Sequence, residues 1–342
     1  MSPPWLSILV PVYRVAPYLD ACLASILEQD VEGVEVVVVD DASPDGEAAM
    51  LVAWQARHPG RMRVVTHPAN RGIAVTRNTL LDQARGDYLW FVDSDDLMAP
   101  GSIAALREVL AKQRTDIVLC DFRIIRESDG NADESPRSRS RQCARDAHVC
   151  TFDGRADVVS RNRDHLIRGL FGPGHLHAWS KIVRRAAWPP ELRFAQNRAF
   201  EDLALMPRVA LSMRSFIHVP QAWVSYRQRP GSILSEPSSD KLDDWMAASA
   251  GYGAHLRDSD AGISPATLFA FAHFCTREWR DCVRIFHRLP GSADPRQTLA
   301  RFRAHWKAAS PLSVFGLTWA YLRRGQVRRC LEMHALLRSS GR

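Results

Sequence analysis

The chain has 342 residues, of which 46% are hydrophobic and 24% charged, and its formal net charge is +7. This length suffices for one large domain with an appendage or for two domains. No run approaches the roughly 20 apolar residues of a membrane-spanning helix. The N-terminus carries no basic residue before its short apolar run, so we expect no signal peptide there. The seven scattered cysteines match no zinc-binding spacing, and we expect reduced thiols in a cytoplasmic protein.

Strands and helices alternate along the first third of the chain. Apolar runs predict strands at 6–12, 34–39, 63–66 and 88–92. Helical spacing of apolar residues predicts helices at 17–29, 47–58, 73–84 and 100–112. Because the connections are short, this alternation indicates an α/β fold with a mostly parallel central sheet flanked by helices. No GxGxxG or P-loop motif is present, which argues against a dinucleotide enzyme or a P-loop NTPase.

The pattern becomes mixed after this region. We expect a strand at 116–125 and then a polar loop at 127–148. Farther along, the pattern predicts helices at 151–170 and 200–212, strands at 215–220 and 222–227, and a helical region from Lys241 onward.

Positive charge is concentrated in the last quarter of the chain. Residues 266–342 carry 14 Lys and Arg against 4 Asp and Glu. The rest of the chain carries 31 Lys and Arg against 34 Asp and Glu. Aromatic residues are interleaved with this charge at Trp306, Phe315, Trp319 and Tyr321. The pattern suits a helix in the headgroup region of an anionic membrane, here the inner face of the cytoplasmic membrane. A core-packing helix with a solvated basic face fits the same pattern, and we do not expect nucleic acid as a partner.

Three carboxylates follow the strand at 88–92 within four residues, Asp93, Asp95 and Asp96. Ligands of open α/β sheets bind just beyond the carboxyl ends of strands, and buried carboxylates need a positive partner. A divalent metal carrying a phosphate-bearing ligand meets that need, and oxygen ligands suit Mg²⁺ or Mn²⁺. The alternative is a capping turn ahead of the helix at 100–112.

Four motifs in order resemble family 2 glycosyltransferases with the GT-A fold, of the bacterial capsule, exopolysaccharide or lipopolysaccharide type. The motifs are Val10–Tyr13, Val39–Asp45, Asn70–Asn78 and Asp93–Asp96. A weaker resemblance continues to about residue 235 through Trp179–Lys181, Glu201–Asp202, Tyr226–Arg227 and Gly231–Ser232. Arg14 departs from the family, which commonly has Asn there. The Gln-x-x-Arg-Trp motif of processive synthases is absent, which favours an enzyme that adds one sugar and releases.

The resemblance implies a Rossmann-like GT-A domain with a helical C-terminal extension. Residues 1–125 would form its nucleotide-sugar-binding half, 126–240 its acceptor-binding half, and 241–342 the basic helical region. The implied donor residues are Pro11, Val12, Tyr13, Asp40, Asp41, Arg71, Arg77, Asp93 and Ser94, and the implied metal ligands are Asp93, Asp95 and Asp96. Tyr13 could equally pack, Asp40 and Asp41 could cap a helix, and the arginines could be exposed helical residues.

On the acceptor side the resemblance makes Asp202 the general base, with Glu201 as its substitute. A carboxylate at the start of a helix is also favoured by the helix dipole, which is the alternative for Asp202. The implied acceptor-binding residues are Trp179, Lys181, His175, His177, Tyr226 and Arg227. The function that follows is inverting, metal-dependent, non-processive transfer from a nucleotide sugar to a glycan or lipid-linked acceptor. The alternatives are a catalytically silent donor-binding module and a transferase that acts on a lipid phosphate.

Overall fold

The computed structural model describes residues 3–29, 31–126, 147–229, 237–258, 262–290 and 294–339. Most of the predicted polar loop, residues 127–146, lies outside these ranges. So do Gly231 and Ser232 of the weaker motif.

A single sheet holds every described strand. The strands are β1 (Leu6–Val12), β2 (Val34–Asp40), β3 (Met62–Thr66), β4 (Tyr88–Phe91), β5 (Leu97–Met98), β6 (Ile117–Arg126), β7 (His148–Val149), β8 (Lys181–Arg184) and β9 (Phe216–Gln228). Their order is β3-β2-β1-β4-β8-β6-β9-β5, with β7 paired to β6. The first four strands of this order are parallel, β6 and β9 are parallel, and β8 runs antiparallel to both of its neighbours. The predicted mostly parallel sheet is confirmed.

Helices cover this sheet and continue beyond it. The first six are α1 (Ala16–Leu27), α2 (Glu47–Arg57), α3 (Ile73–Gln83), α4 (Ser102–Lys112), α5 (Arg163–Phe171) and α6 (Glu201–Ser212). Strands β1, β2 and β4 are buried along their whole length, as strands between two helical layers must be. Their parallel arrangement brings the segments that follow Val12, Asp40 and Phe91 to one edge of the sheet.

Two sequence predictions about the middle of the chain are wrong. The helix expected at 151–170 begins only at Arg163, after Asn162 caps it by accepting a hydrogen bond from His165 N. Thr151 is held instead by Asp121 Oδ1, which accepts from its backbone N–H at 2.9 Å. The two strands expected at 215–220 and 222–227 form one strand, β9, which stays paired with β6 through an irregularity at Asp121.

Helices form the C-terminal region, as predicted. They are α7 (Ser239–Ala248), α8 (Tyr252–Asp258), α9 (Pro265–Phe286), α10 (Pro295–Ala309), α11 (Val314–Arg323) and α12 (Val327–Ser339). Two of the aromatic residues assigned to a membrane surface are core residues instead. Trp306 stacks on Trp279 with ring centroids 4.9 Å apart, and Tyr321 bonds His273 through its hydroxyl at 2.9 Å. Both are 1% exposed.

Within the described ranges, no helix is both long and apolar enough to cross a bilayer. The six cysteines that the structure describes are unpaired, and all but Cys150 are buried. One sheet runs through both predicted halves of the GT-A domain, so the division at residue 125 remains a prediction.

Candidate active site

The predicted donor residues meet at the carboxyl edge of β1, β2 and β4. Pro11 and Val12 lie inside β1 and are buried, whereas Tyr13 follows the strand and is 38% exposed. Asp40 ends β2 and accepts a hydrogen bond from Ser43 N at 3.0 Å. The Asp93–Asp96 turn follows β4, where Ser94 is buried. This edge is where open α/β sheets bind their ligands.

Asp41 has a positioning role that differs from the predicted donor contact. Its carboxylate accepts from Arg71 N at 3.0 Å, from Gly72 N at 2.8 Å and from His67 Nδ1 at 2.6 Å. Both of its oxygens are therefore engaged within the protein, and the side chain is 2% exposed. Asp41 holds the turn that precedes α3, and its contact with the base or ribose remains a prediction.

Arg77 is buried and joins two carboxylates from distant parts of the chain. Its Nη2 lies 2.7 Å from Asp93 Oδ1, and its Nη1 lies 2.5 Å from Glu201 Oε1. Burial alone would lower the pKa of Arg77, but Asp93 and Glu201 raise that pKa above its ordinary value. Both ends of its guanidinium are thus bound within the protein, and its predicted diphosphate contact remains a prediction. Arg71 is exposed and is the better candidate for that contact.

Two arginines at the end of β9 lie against the carboxylates that follow β4. Arg227 donates from its backbone N to Asp96 Oδ1 at 2.8 Å and from Nε to Asp95 O at 2.9 Å. Arg229 donates from Nε to Asp95 Oδ2 at 2.8 Å. Arg227 therefore lies against the strand-end carboxylates, and its acceptor role remains a prediction. Sequence reasoning missed Arg229, although its alternation with Arg227 places both on one face of an extended chain.

The Asp95 and Asp96 carboxyls are poised for a cation. Burial, together with the charge of Asp93, raises the pKa of Asp95. Burial raises the pKa of Asp96 well above its usual range, and the negative charges of Asp95 and Asp93 add to this effect. Asp96 Oδ2 is buried without a hydrogen-bond partner. Both an uncompensated carboxylate oxygen and mutual repulsion are relieved by positive charge, so these residues fit a divalent metal.

The three carboxylates do not converge on one point. Among the described residues, a single set of three His, Cys, Asp or Glu side chains has its potential metal-ligand atoms within 4.8 Å of one another. That set is Asp121, Cys150 and His218. Asp121 already has strong partners there, because His218 Nε2 and His148 Nε2 lie 2.8 and 2.7 Å from its two oxygens. These hydrogen bonds offset burial and lower the pKa of Asp121. We interpret this cluster as a structural hub that ties β7 and β9 to β6.

A stack of aromatic rings forms the predicted acceptor wall. The rings of His177 and Trp179 lie 4.7 Å apart at an interplanar angle of 5°, and Tyr226 stacks on Trp179 at 5.8 Å. Trp179 is 2% exposed and supports the rings around it, and its contact with the acceptor remains a prediction. His177 and Tyr226 remain partly exposed. Burial, followed by the charges of Asp96 and Asp95, raises the pKa of Tyr226 to about 12.

Lys181 is buried beneath the loop that carries the two histidines. Its Nζ donates to His175 O at 2.9 Å, to His177 O at 2.8 Å and to Ser180 Oγ at 3.0 Å. Burial lowers the pKa of Lys181 to about 7. Through these hydrogen bonds Lys181 positions the loop, and its acceptor contact remains a prediction. Burial and then His177 lower the pKa of His175 to about 4, which keeps this partly buried ring neutral.

Glu201 and Asp202 begin α6 in different electrostatic environments. Glu201 is buried, and its desolvation outweighs the Arg77 charge and raises its pKa to about 7. Asp202 keeps 18% of its side chain exposed and has Oδ2 3.6 Å from His177 Nδ1. Despite desolvation, His177 and Arg77 lower the pKa of Asp202 to about 2. Asp202 is thus an ionised, partly accessible carboxylate that lies beside the ring of His177.

A cavity of about 360 Å³ lies on another side of Glu201. Its apolar lining is built from alanines of the segment before α6 and of α7, and Arg198, Asp244 and His305 add polar groups. None of the predicted donor residues lines it.

Comparison with known proteins agrees with this arrangement of strand-end carboxylates. The model of glycosyl transferase family 2 matches residues 7–163. A glycosyltransferase of Bacillus subtilis, EpsJ, is 37% identical over 250 residues, which cover 71% of this chain and 67% of that protein. The chain belongs to glycosyltransferase family 2. The chain is also 27% identical over 230 residues to the glycosyltransferase GlyG of Streptococcus pneumoniae. The aligned residues cover 67% of this chain and 72% of GlyG.

The fold of this glycosyltransferase is shared with TarS of S. aureus. A crystal structure of TarS residues 1–349 with UDP-GlcNAc aligns over 98% of this chain and 91% of that chain. The TM-score is 0.67 and the sequence identity is 19%. The likeness therefore extends through the helical C-terminal region, and the predicted GT-A class is confirmed.

The raised pKa of Glu201 makes stability depend on pH with a definite sign. The folded state favours the protonated carboxyl, so its stabilisation is complete below the unfolded pKa and is lost as pH rises through about 7. We expect the wild type to lose stability relative to Glu201→Gln between about pH 5 and pH 8, by about 1.4 kcal/mol per pH unit at most. Urea unfolding across this range measures the difference.

The matched control for this experiment is Glu191→Gln, because Glu191 is exposed. Its difference from the wild type should stay constant with pH. A constant difference for Glu201→Gln would show that Glu201 is ionised throughout and would refute the assignment.

Proposed function

We propose that this enzyme is an inverting, metal-dependent, non-processive glycosyltransferase of cell-surface polysaccharide synthesis. It would move a sugar from a nucleotide sugar to a hydroxyl of a glycan or lipid-linked acceptor. The observation that carries the proposal is the buried Arg77, which bonds Asp93 on the donor side and Glu201 beside Asp202 on the acceptor side. That bond supports a single site in which donor and acceptor groups face each other.

The donor half of the proposal rests on the edge of β1, β2 and β4. Tyr13 and Asp40 would contact the nucleoside, and Arg71 and Arg229 would face the diphosphate. A UDP-linked donor is favoured because TarS, which shares the fold, was crystallised with UDP-GlcNAc. Asp95, with Asp93 and Asp96 nearby, would hold Mn²⁺ or Mg²⁺. When bound, the metal neutralises the negative charge that develops on the departing nucleoside diphosphate.

On the acceptor side, Asp202 would take the proton of the attacking hydroxyl. The acceptor oxygen then forms a bond to the anomeric carbon while the bond from that carbon to the diphosphate oxygen breaks. Attack on the face opposite the leaving group inverts the anomeric configuration. His177 and Tyr226 present ring surface next to Asp202, which suits the apolar face of a sugar. His175 and Lys181 hold that wall in place.

We place the enzyme in the cytoplasm, where nucleotide sugars are made, with a peripheral contact to the inner face of the cytoplasmic membrane through residues 266–342. The net charge of +10 in that segment supports contact with anionic lipid. Such a contact would bring the site close to a lipid-linked acceptor.

Metal dependence is tested by UDP binding with Asp95→Ala. We expect isothermal titration in the presence of Mn²⁺ to show binding weakened by about ten-fold or more, the scale seen when residues that support a metal site are lost. Asp87→Ala is the control, because Asp87 precedes the opposite end of β4 and is exposed. Wild-type binding that is equal in Mn²⁺ and in EDTA would refute the metal role.

The base is tested with Asp202→Asn. We expect donor binding to be unchanged and turnover to fall by roughly 10²-fold or more, as loss of a general base does. Asp240→Asn serves as control, because Asp240 is an exposed carboxylate in the first turn of another helix, α7. Retained turnover in Asp202→Asn would contradict the assignment, and would favour a lipid-phosphate acceptor that needs no base. Donor binding without transfer or hydrolysis by the wild type would indicate a silent module.

A further inference from the structure

We propose that one exposed face of α11 and α12 is the surface that docks this enzyme on an anionic phospholipid bilayer. Eight large hydrophobic side chains are exposed among the described residues, and five of them fall within the 17 residues from Phe315 to Leu331. We call these five the terminal apolar surface: Phe315, Trp319, Leu322, Val327 and Leu331. Apolar side chains concentrated in this way mark an interaction site, whereas single exposed ones are ordinary.

Helical spacing places the three members from α11 on one face. Phe315, Trp319 and Leu322 are at positions i, i+4 and i+7, and they are 81%, 57% and 47% exposed. The opposite face carries Leu317 and Tyr321, which are buried. The helix is therefore apolar on both faces, and protein covers only one of them.

Helix α12 repeats this arrangement beside α11. Val327 and Leu331 lie one turn apart and are exposed, whereas Cys330 and Met333 are buried. Both helices pack on α9, since Tyr321 bonds His273 and Glu332 lies 3.8 Å from Arg280. Their exposed faces are accordingly the ones that do not pack on α9. A hydrogen bond of 2.9 Å between Thr318 and His334 joins the two helices directly.

Arginines are frequent in the segment that carries the terminal apolar surface, and the Arg323 guanidinium lies 6.0 Å from the centre of the Trp319 ring. The segment 311–339 contains five arginines, one glutamate, and neither aspartate nor lysine, for a net charge of +4 with histidine neutral. The single glutamate, Glu332, is paired with Arg328 at 3.1 Å and with Arg280. The arginines are Arg323, Arg324, Arg328, Arg329 and Arg338, and all five are exposed.

This combination selects an anionic bilayer as the occupant. A bilayer accepts apolar side chains at the boundary of its headgroups and acyl chains, and its lipid phosphates accept bidentate hydrogen bonds from arginine. A second copy docked on the same face would bring arginine against arginine, which is unfavourable. Because α11 is only ten residues long, it would lie in the plane of the interface.

The docking surface is independent of sugar transfer, although it specifies the membrane contact of the proposed function. We therefore test it on the full chain by co-sedimentation with vesicles of phosphatidylcholine, alone or mixed with phosphatidylglycerol. We expect wild type to bind the mixed vesicles, and to bind them more weakly as salt is raised. The triple variant Phe315→Ser/Trp319→Ser/Leu322→Ser should lower the partition coefficient by about 100-fold. The variant Arg323→Gln/Arg324→Gln/Arg328→Gln should lower it by about ten-fold or more.

The matched control replaces exposed apolar residues elsewhere, Val52→Ser/Val158→Ser, and should bind vesicles like the wild type. UDP binding by every variant is measured in parallel, so that failure of the donor site and failure of the docking surface are separate results. Equal vesicle binding by the wild type and the serine triple variant would overturn the proposal. So would sedimentation velocity that shows a dimer for wild type and a monomer for that variant, because the occupant would then be a second copy.

Discussion

A buried guanidinium in a protein interior requires negative partners, and the arrangement of this site follows from that requirement. Arg77 lies on α3 with its side chain almost fully enclosed, and its two charged contacts are Asp93 after β4 and Glu201 at the start of α6. These carboxylates come from segments more than 100 residues apart in the chain. Removing the cation would leave the buried Glu201 carboxyl and the partly exposed Asp93 carboxylate without their shared partner, which is unfavourable. One buried side chain therefore joins the segment after β4 to the start of α6.

The same cation explains how two adjacent carboxyls at the start of α6 come to differ. The positive charge of Arg77 offsets only part of the desolvation of Glu201, so the pKa of Glu201 stays raised to about 7. Asp202 has His177 as an additional partner and remains ionised, with its pKa lowered to about 2. Environments that separate the pKa values of neighbouring groups are a common device for assigning acid and base roles. Here the two environments leave the accessible Asp202 carboxylate ionised, and they give the buried Glu201 carboxyl a structural role.

Much of the fold could be predicted from the sequence, because the strands and helices of residues 6–126 have uninterrupted apolar patterns. Residue type does not reveal burial or long-range contacts. Asp41, Trp179 and Lys181 are the residue types expected to contact a sugar nucleotide or an acceptor, and the structure shows each of them enclosed against a neighbouring loop or ring. The pairing of β5 with β9, which brings Arg227 to Asp95 and Asp96, is a long-range contact that the sequence does not reveal. In the C-terminal region, charge and aromatic content predicted a surface helix correctly for Phe315 and Trp319, and wrongly for Trp306 and Tyr321.

The measurement that tests the central role of Arg77 most directly is a double-mutant cycle on the free energy of unfolding with Arg77→Met, Glu201→Gln and the double variant. Arg77→Met should lower that free energy by about 3 kcal/mol or more, because it strands buried carboxylates. The control is Arg71→Met, because Arg71 is exposed. This variant should change the free energy of unfolding by less than about 0.5 kcal/mol. Measured above about pH 7, adding Glu201→Gln to Arg77→Met should restore part of the loss, since Gln avoids the cost of either burying or protonating the Glu201 carboxylate without its cation. Strictly additive losses, or an Arg77→Met variant as stable as Arg71→Met, would contradict this account.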